Sequence, residues 1–270
     1  MSYIKGLNSR FPEKNYSQLD IIKFSKKIFN NKKDFSKLLK VYENSGVKNR
    51  YLVNDINWYL QKRTWKEANY FFKKNAIELL KNSIKKTLKN SQIKASEVGA
   101  LIVINTTGIA TPSIDAEILN LFDFKSDTIR VPLFGYGCAG GVLGLNRAAE
   151  IHRFIKKPVL VCNVELCSLT FRPHIFSKEN VISTALFGDG AATYIIDNDG
   201  DCKVRKSKDY TWKNTLEFMG WKVENDGLAV VFDKIIPDFI LNNLSQIVKS
   251  FSKKKKMGYI LHPGGMKIID

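Results

Sequence analysis

Residues 131–150 read VPLFGYGCAGGVLGLNRAAE and set one cysteine, Cys138, between an apolar strand-like run and a helix-like one. The first turn of a helix leaves backbone N–H groups unpaired and carries partial positive charge. A thiol placed there is expected to ionise below its ordinary pKa of about 8.5 and to act as a nucleophile. Gly135, Gly137, Gly140 and Gly141, with Ala139, leave room for backbone and substrate to approach. The local sequence admits two readings, nucleophile and buried structural cysteine.

A cysteine nucleophile needs a base or a polarising partner. His262, in YILHPGG, lies at the end of an expected apolar strand, before a tight Pro-Gly-Gly turn. A lone histidine there reads as a catalyst or as a satisfied structural residue. His152 is expected on the polar side of a helix and His174 in a loop. The four cysteines (138, 162, 167 and 202) and three histidines form no zinc-ligand spacing, so no metal is expected. Cys162 and Cys202 are expected to be buried and free.

The elements that must position Cys138 follow from periodicity. Residues 67–89 have apolar positions at helical spacing with lysines on the other face. Strands are expected over 99–108, 129–137, 157–165 and 191–197, with helices over 109–122 and from 138 onward. This alternation predicts an α/β protein with covered sheets. Residues 236–265 replay the order of 76–108: amphipathic helix, basic linker, apolar strand, Gly-bearing turn. The pattern implies a duplicated unit whose second copy stops early.

With 44% hydrophobic and 11% aromatic residues, the 270-residue chain is expected to fold, in one large or two small domains. The polar start MSYIKGLNSRFPEKNYSQ lacks a secretion pattern, and no apolar run approaches the roughly 20 residues that cross a bilayer. A cytoplasmic protein that does not engage a membrane is expected. The net charge of +17 is spread over many lysines. No nucleic-acid-reading motif accompanies it, so nucleic acid is not an expected partner. The KKKK run at 253–256 reads as a solvated turn.

Five ordered segments, TTGIATPSIDA (106–116), GCAGGVLGL (137–145), ALFGDGAA (185–192), MGWKVENDGL (219–228) and HPGG (262–265), resemble type III polyketide synthases of the chalcone-synthase kind. The opening YIKGLNSRFPEKNYSQ (3–18) is similar as well, and the wording looks bacterial rather than plant-like. The resemblance implies a thiolase-like duplicated αβαβα layered fold. Its N-terminal half would be 1–200, with the start of a C-terminal half at 201–270.

It also implies an acyltransferase. Cys138 would take an acyl group from a coenzyme A thioester, and decarboxylation of malonyl-CoA would give an enolate for Claisen condensation. His262 would pair with the thiolate and hydrogen-bond the thioester oxygen and the enolate. Phe187 would wall the CoA tunnel, although a core aromatic before a Gly-Asp-Gly turn is the plainer reading. Thr106, Cys167 and Thr170 map to the cavity lining; plant members carry Thr where Cys167 stands, so the starter is not transferable. Lys37 and Lys40 fall near CoA-phosphate positions, on what also reads as a solvated helix face. No cofactor is implied beyond the CoA thioesters, and a homodimer is expected, with 109–112 near the partner's cavity.

The family places an asparagine some 30 residues past its histidine, whereas this chain ends eight residues after His262. The expectation is a C-terminally truncated chain with impaired condensation. Two alternatives stay open: a ketoacyl synthase III-like enzyme using carrier-bound malonyl, and a non-catalytic fragment or subunit associating with a complete synthase.

Overall fold

A computed structural model describes residues 1–251 and 258–266. In chain order the elements are β1 (Ser2–Arg10), β2 (Lys14–Ser17), α1 (Gln18–Phe29), α2 (Phe35–Glu43), β3 (Asn49–Leu52) and α3 (Trp65–Ser91). Then follow β4 (Ala100–Asn105), α4 (Ile114–Leu119), β5 (Ile129–Phe134), α5 (Gly140–Ile155), β6 (Val159–Leu166) and α6 (Lys178–Leu186). The last are β7 (Asp189–Asp197), β8 (Cys202–Val204), β9 (Met219–Glu224), β10 (Gly227–Phe232) and α7 (Ile236–Phe251).

The main sheet has six strands in the order β5-β4-β6-β7-β1-β8. β4 runs parallel to β5 and β6, while β7 is antiparallel to β6 and β1. Both faces are covered, which is why β4 is apolar at successive positions rather than alternating. Leu101 and Val103 face one cluster, shared with Phe72, Leu80 and Ile84 of α3. Ala100, Ile102 and Ile104 face a second cluster, shared with Ala148 of α5. The result is an α3–sheet–α5 sandwich.

α3 begins at a Thr64–Glu67 capping box and buries Phe72, Ala76, Leu80 and Ile84, one turn apart. α5 comes close to the sheet through glycine. A Cβ on Gly144 would lie 2.3 Å from Ile104 Cδ1, and one on Gly140 would lie 2.6 Å from Ile104 Cγ2. These two glycines therefore serve helix–strand contact, not substrate access. Gly135 and Gly137, with φ of +87° and +53°, make the left-handed turn before Cys138.

Three expectations are corrected. Residues 258–265 contain no strand, and Tyr259, Ile260 and Leu261 are exposed; an apolar run becomes a strand only where another strand pairs its backbone. His152 is 1% exposed, because the helix face that carries it packs under β1, where the Ser2 hydroxyl meets Nδ1 at 3.0 Å. Cys202 is exposed, since β8 is a three-residue edge strand. Cys162 is buried and free, as expected. The 253–256 lysine run lies outside the described residues.

Candidate active site

Cys138 sits in a single 3₁₀ turn, Gly137–Ala139, that leads into α5. The turn is tied to the end of β4: the Gly137 N–H donates to the Thr106 hydroxyl at 3.0 Å. Thr106 and Thr107 are buried, and their N–H groups both donate to Glu165 Oε2 at 3.1 Å. The Thr107 hydroxyl donates to the same oxygen at 2.8 Å and accepts from the Leu166 N–H at 2.9 Å. Glu165 thus joins β6 to the loop after β4, and that loop holds the cysteine turn.

The electrostatics differ from the sequence expectation. Cys138 is exposed as a residue. Its thiol is nonetheless raised above the ordinary value, first by desolvation from the atoms around the sulfur and then by the charge of Glu165. The lowering expected from the helix start is outweighed. Burial pushes Glu165 up to about 7, against the hydrogen bonds from Thr107 and Thr106. Cys167 is raised well above the thiol range by burial and by the charges of Glu165, Asp189 and Cys138.

His262 is exposed, and no hydrogen bond joins it to Cys138 among the described residues. Enough atoms crowd its ring to lower its pKa by desolvation alone. The expected imidazole–thiolate pair is therefore not formed in this structure. Its physical basis, a strand end that holds the ring, is missing.

Cys167 and Phe187 line one largely apolar cavity with Phe24, Leu52, Tyr59 and Phe171. Cys167 opens a 3₁₀ turn after β6, and the Thr170 hydroxyl donates back to the Cys167 carbonyl at 2.8 Å. Thr170 itself lines a neighbouring small pocket with Arg172, His174 and Asp226. Phe187 ends α6, and its ring meets Trp221 of β9 edge-on at 6.2 Å. Asp226, in the β9–β10 turn, accepts two bonds from Arg172 at 3.0 and 2.6 Å and lies 2.6 Å from His174 Nε2. Lys37 and Lys40 are exposed on α2, with Lys37 paired to Asp34 at 2.5 Å.

Sequence reasoning missed two residues at this site. Arg50 is buried on β3, where it donates to the carbonyls of Thr184, Ala185 and Phe187 and so caps the end of α6 beneath Phe187. Burial lowers its pKa to about 10. Glu165 was the other; its signal was an ionisable residue inside the apolar run VLVCNVEL. Asp189, fully enclosed and pushed up to about 6 by burial, accepts from the Ser168 N–H at 2.8 Å and from the Val53 N–H at 2.8 Å.

The described residues thus form a layered α/β fold with a free cysteine on the turn into a covering helix. The fold matches tetrahydroxynaphthalene synthase from Streptomyces coelicolor A3(2) with a TM-score of 0.92 at 22% identity, covering 99% of this chain and 79% of that one. It matches the C-terminal type III polyketide synthase domain of Steely1 from Dictyostelium with a TM-score of 0.91 at 24% identity, covering 99% and 80%. A Bacillus subtilis protein assigned to the chalcone synthases is 32% identical over 293 residues, spanning 100% of this chain and 80% of that protein. A 1,3,6,8-tetrahydroxynaphthalene synthase of Streptomyces peucetius is 27% identical, spanning 98% and 74%. The family model described as FAE1/type III polyketide synthase-like protein matches residues 9–217. The chain belongs to the type III polyketide synthase-like family.

Proposed function

We propose that this chain is an acyltransferase that receives an acyl group on Cys138 from a coenzyme A thioester and extends it with malonyl-CoA. The sulfur attacks the thioester carbonyl and the CoA thiolate leaves. Malonyl-CoA loses carbon dioxide, its enolate attacks the cysteine-bound acyl carbon, and the sulfur departs. Thiol and enolate carry the reaction, so the proposal calls for no cofactor beyond the CoA thioesters. The observation that carries it is the free, exposed Cys138, held on a turn inside the family-matching segment.

Cys167, Phe187, Thr106 and Thr170 are assigned to the acyl cavity and its supports. Lys37 and Lys40 are assigned to the CoA phosphates on the strength of their exposure on α2. His262 is assigned as hydrogen-bond donor to the thioester and enolate. The division into a thiolase-like half over 1–200 and the start of a second over 201–270 belongs to the same proposal, as does a cytoplasmic location. A homodimer is supported by β5, an edge strand of the main sheet, with Phe134, Tyr136 and Val142 exposed beside it.

The test is incubation with malonyl-CoA and acyl-CoAs of varied length, followed by mass spectrometry of the Cys138 peptide and of the products. Product formed by Cys138→Ala overturns the assigned nucleophile. Malonyl on a carrier protein, tried in parallel, distinguishes the extender. A second reading, acyl loading without condensation, is favoured by the absence of a His262–Cys138 bond among the described residues. A labelled Cys138 with no extended product would select it.

A further inference from the structure

Glu165 has two oxygens in different situations. Oε2 accepts from Thr106 N, Thr107 N and Thr107 Oγ1. Oε1 is sealed from solvent and has no hydrogen-bond partner among the described residues, although part of the residue reaches the surface. A buried carboxylate oxygen without a donor is costly, and such an atom calls for an explanation. The same carboxylate lies two hydrogen bonds from the cysteine turn, through Thr106 to Gly137.

We propose that Glu165 is the positioning residue for Cys138: its Oε2 holds the Gly137–Cys138 turn through Thr106, and its carboxyl, with Oε1 lacking a donor among the described residues, tunes the reactivity of the sulfur. The titratable groups gathered here are Glu165 of β6, Cys138 before α5, Cys167 after β6 and Asp189 of β7. Glu165 is the charge that acts on both cysteines, Cys138 and Cys167. Two acids in one desolvated site resist ionising together. The pair therefore carries at most one negative charge near neutrality, on the carboxylate beside a thiol. Protonation at Glu165 also gives Oε1 a hydrogen to donate. The positions of Glu165 about 7 and of Cys138 raised by its charge agree with this coupling.

The inference deepens the reading of Cys138 as nucleophile, and it can fail while acyl transfer stands, because its test reads the sulfur directly. Iodoacetamide alkylates the thiolate, forming a carbon–sulfur bond and releasing iodide. The rate at Cys138 is followed across pH 5 to 10 on its tryptic peptide. In the wild-type protein the expected profile has two limbs, with Glu165 ionising before the sulfur does. In Glu165→Gln the early limb vanishes, and alkylation at pH 7 rises several-fold as the profile moves to lower pH. Thr106→Val, which removes the bridge but keeps the carboxyl, retains two limbs with an altered overall rate. A single-limb wild-type profile overturns the proposal. So does a Glu165→Gln profile superimposable on the wild type, with circular dichroism showing the variant folded.

Discussion

The Gly137 N–H and the Thr106 hydroxyl, 3.0 Å apart, suspend the turn bearing Cys138 from the end of β4. Placement of the thiol therefore depends on how closely α5 is seated on the sheet, and that seating depends on glycine.

Replacing Gly144 with Ala puts a methyl 2.3 Å from Ile104 Cδ1. Overpacking of this kind typically costs about 1–3 kcal/mol. Gly144→Ala is expected to lower urea-unfolding stability by that amount and to slow acyl loading of Cys138. Unchanged stability would mean that α5 slides freely on β4.

Asp189 gives a pH signature. Its carboxyl rises from 3.8 to about 6 on folding, with burial as the leading cause. An acid raised by folding supports the folded state fully below its unfolded value and withdraws that support as pH climbs through the folded one. Stability from this group should fall between pH 3.8 and about 6. Asp189→Asn should abolish that slope. It should also cost about 1–3 kcal/mol at low pH, since an amide cannot accept from Ser168 and Val53 together. Urea titrations at stepped pH measure both effects.

His152 has the opposite sign. Its pKa is lowered from 6.5, chiefly by desolvation, and its buried Nε2 has no partner among the described residues. A base lowered by folding contributes stability above its ordinary value and loses it as pH falls. Unfolding curves at pH 5 and pH 7.5 should diverge in the wild-type protein. In His152→Gln, which keeps an acceptor for Ser2, stability at pH 5 should rise relative to pH 7.5.

The homodimer reading predicts that Phe134→Glu, at the exposed end of the β5 edge, yields a monomer by analytical ultracentrifugation. Dimer at the wild-type concentration dependence would place the interface elsewhere.

Much of the frame was legible because its determinants are local. Phe72, Ala76, Leu80 and Ile84 repeat at one-turn spacing, and the run ALIVIN needs no context to read as a buried strand. The site's controls were not. His152 has Glu150 and Arg153 close by in the chain, so its helix position looked polar; only β1, about 150 residues away in sequence, buries it. Arg50 reads as one more cation until α6 presents its carbonyls. The surroundings of Cys138 were not legible either: the helix start is visible in the sequence, whereas desolvation of the sulfur and the charge of Glu165 arise only through the fold.

The ring of Phe72 occupies the space where any side chain on Gly108 would begin, with its Cδ1 only 2.1 Å from an added Cβ. Position 108 is not free to gain bulk alone. A lineage can gain bulk at 108 only after 72 has shrunk, and the shrunken intermediate must survive a hollow beneath α3. The loop that follows β4 is thereby locked to the covering helix α3 at this van der Waals contact.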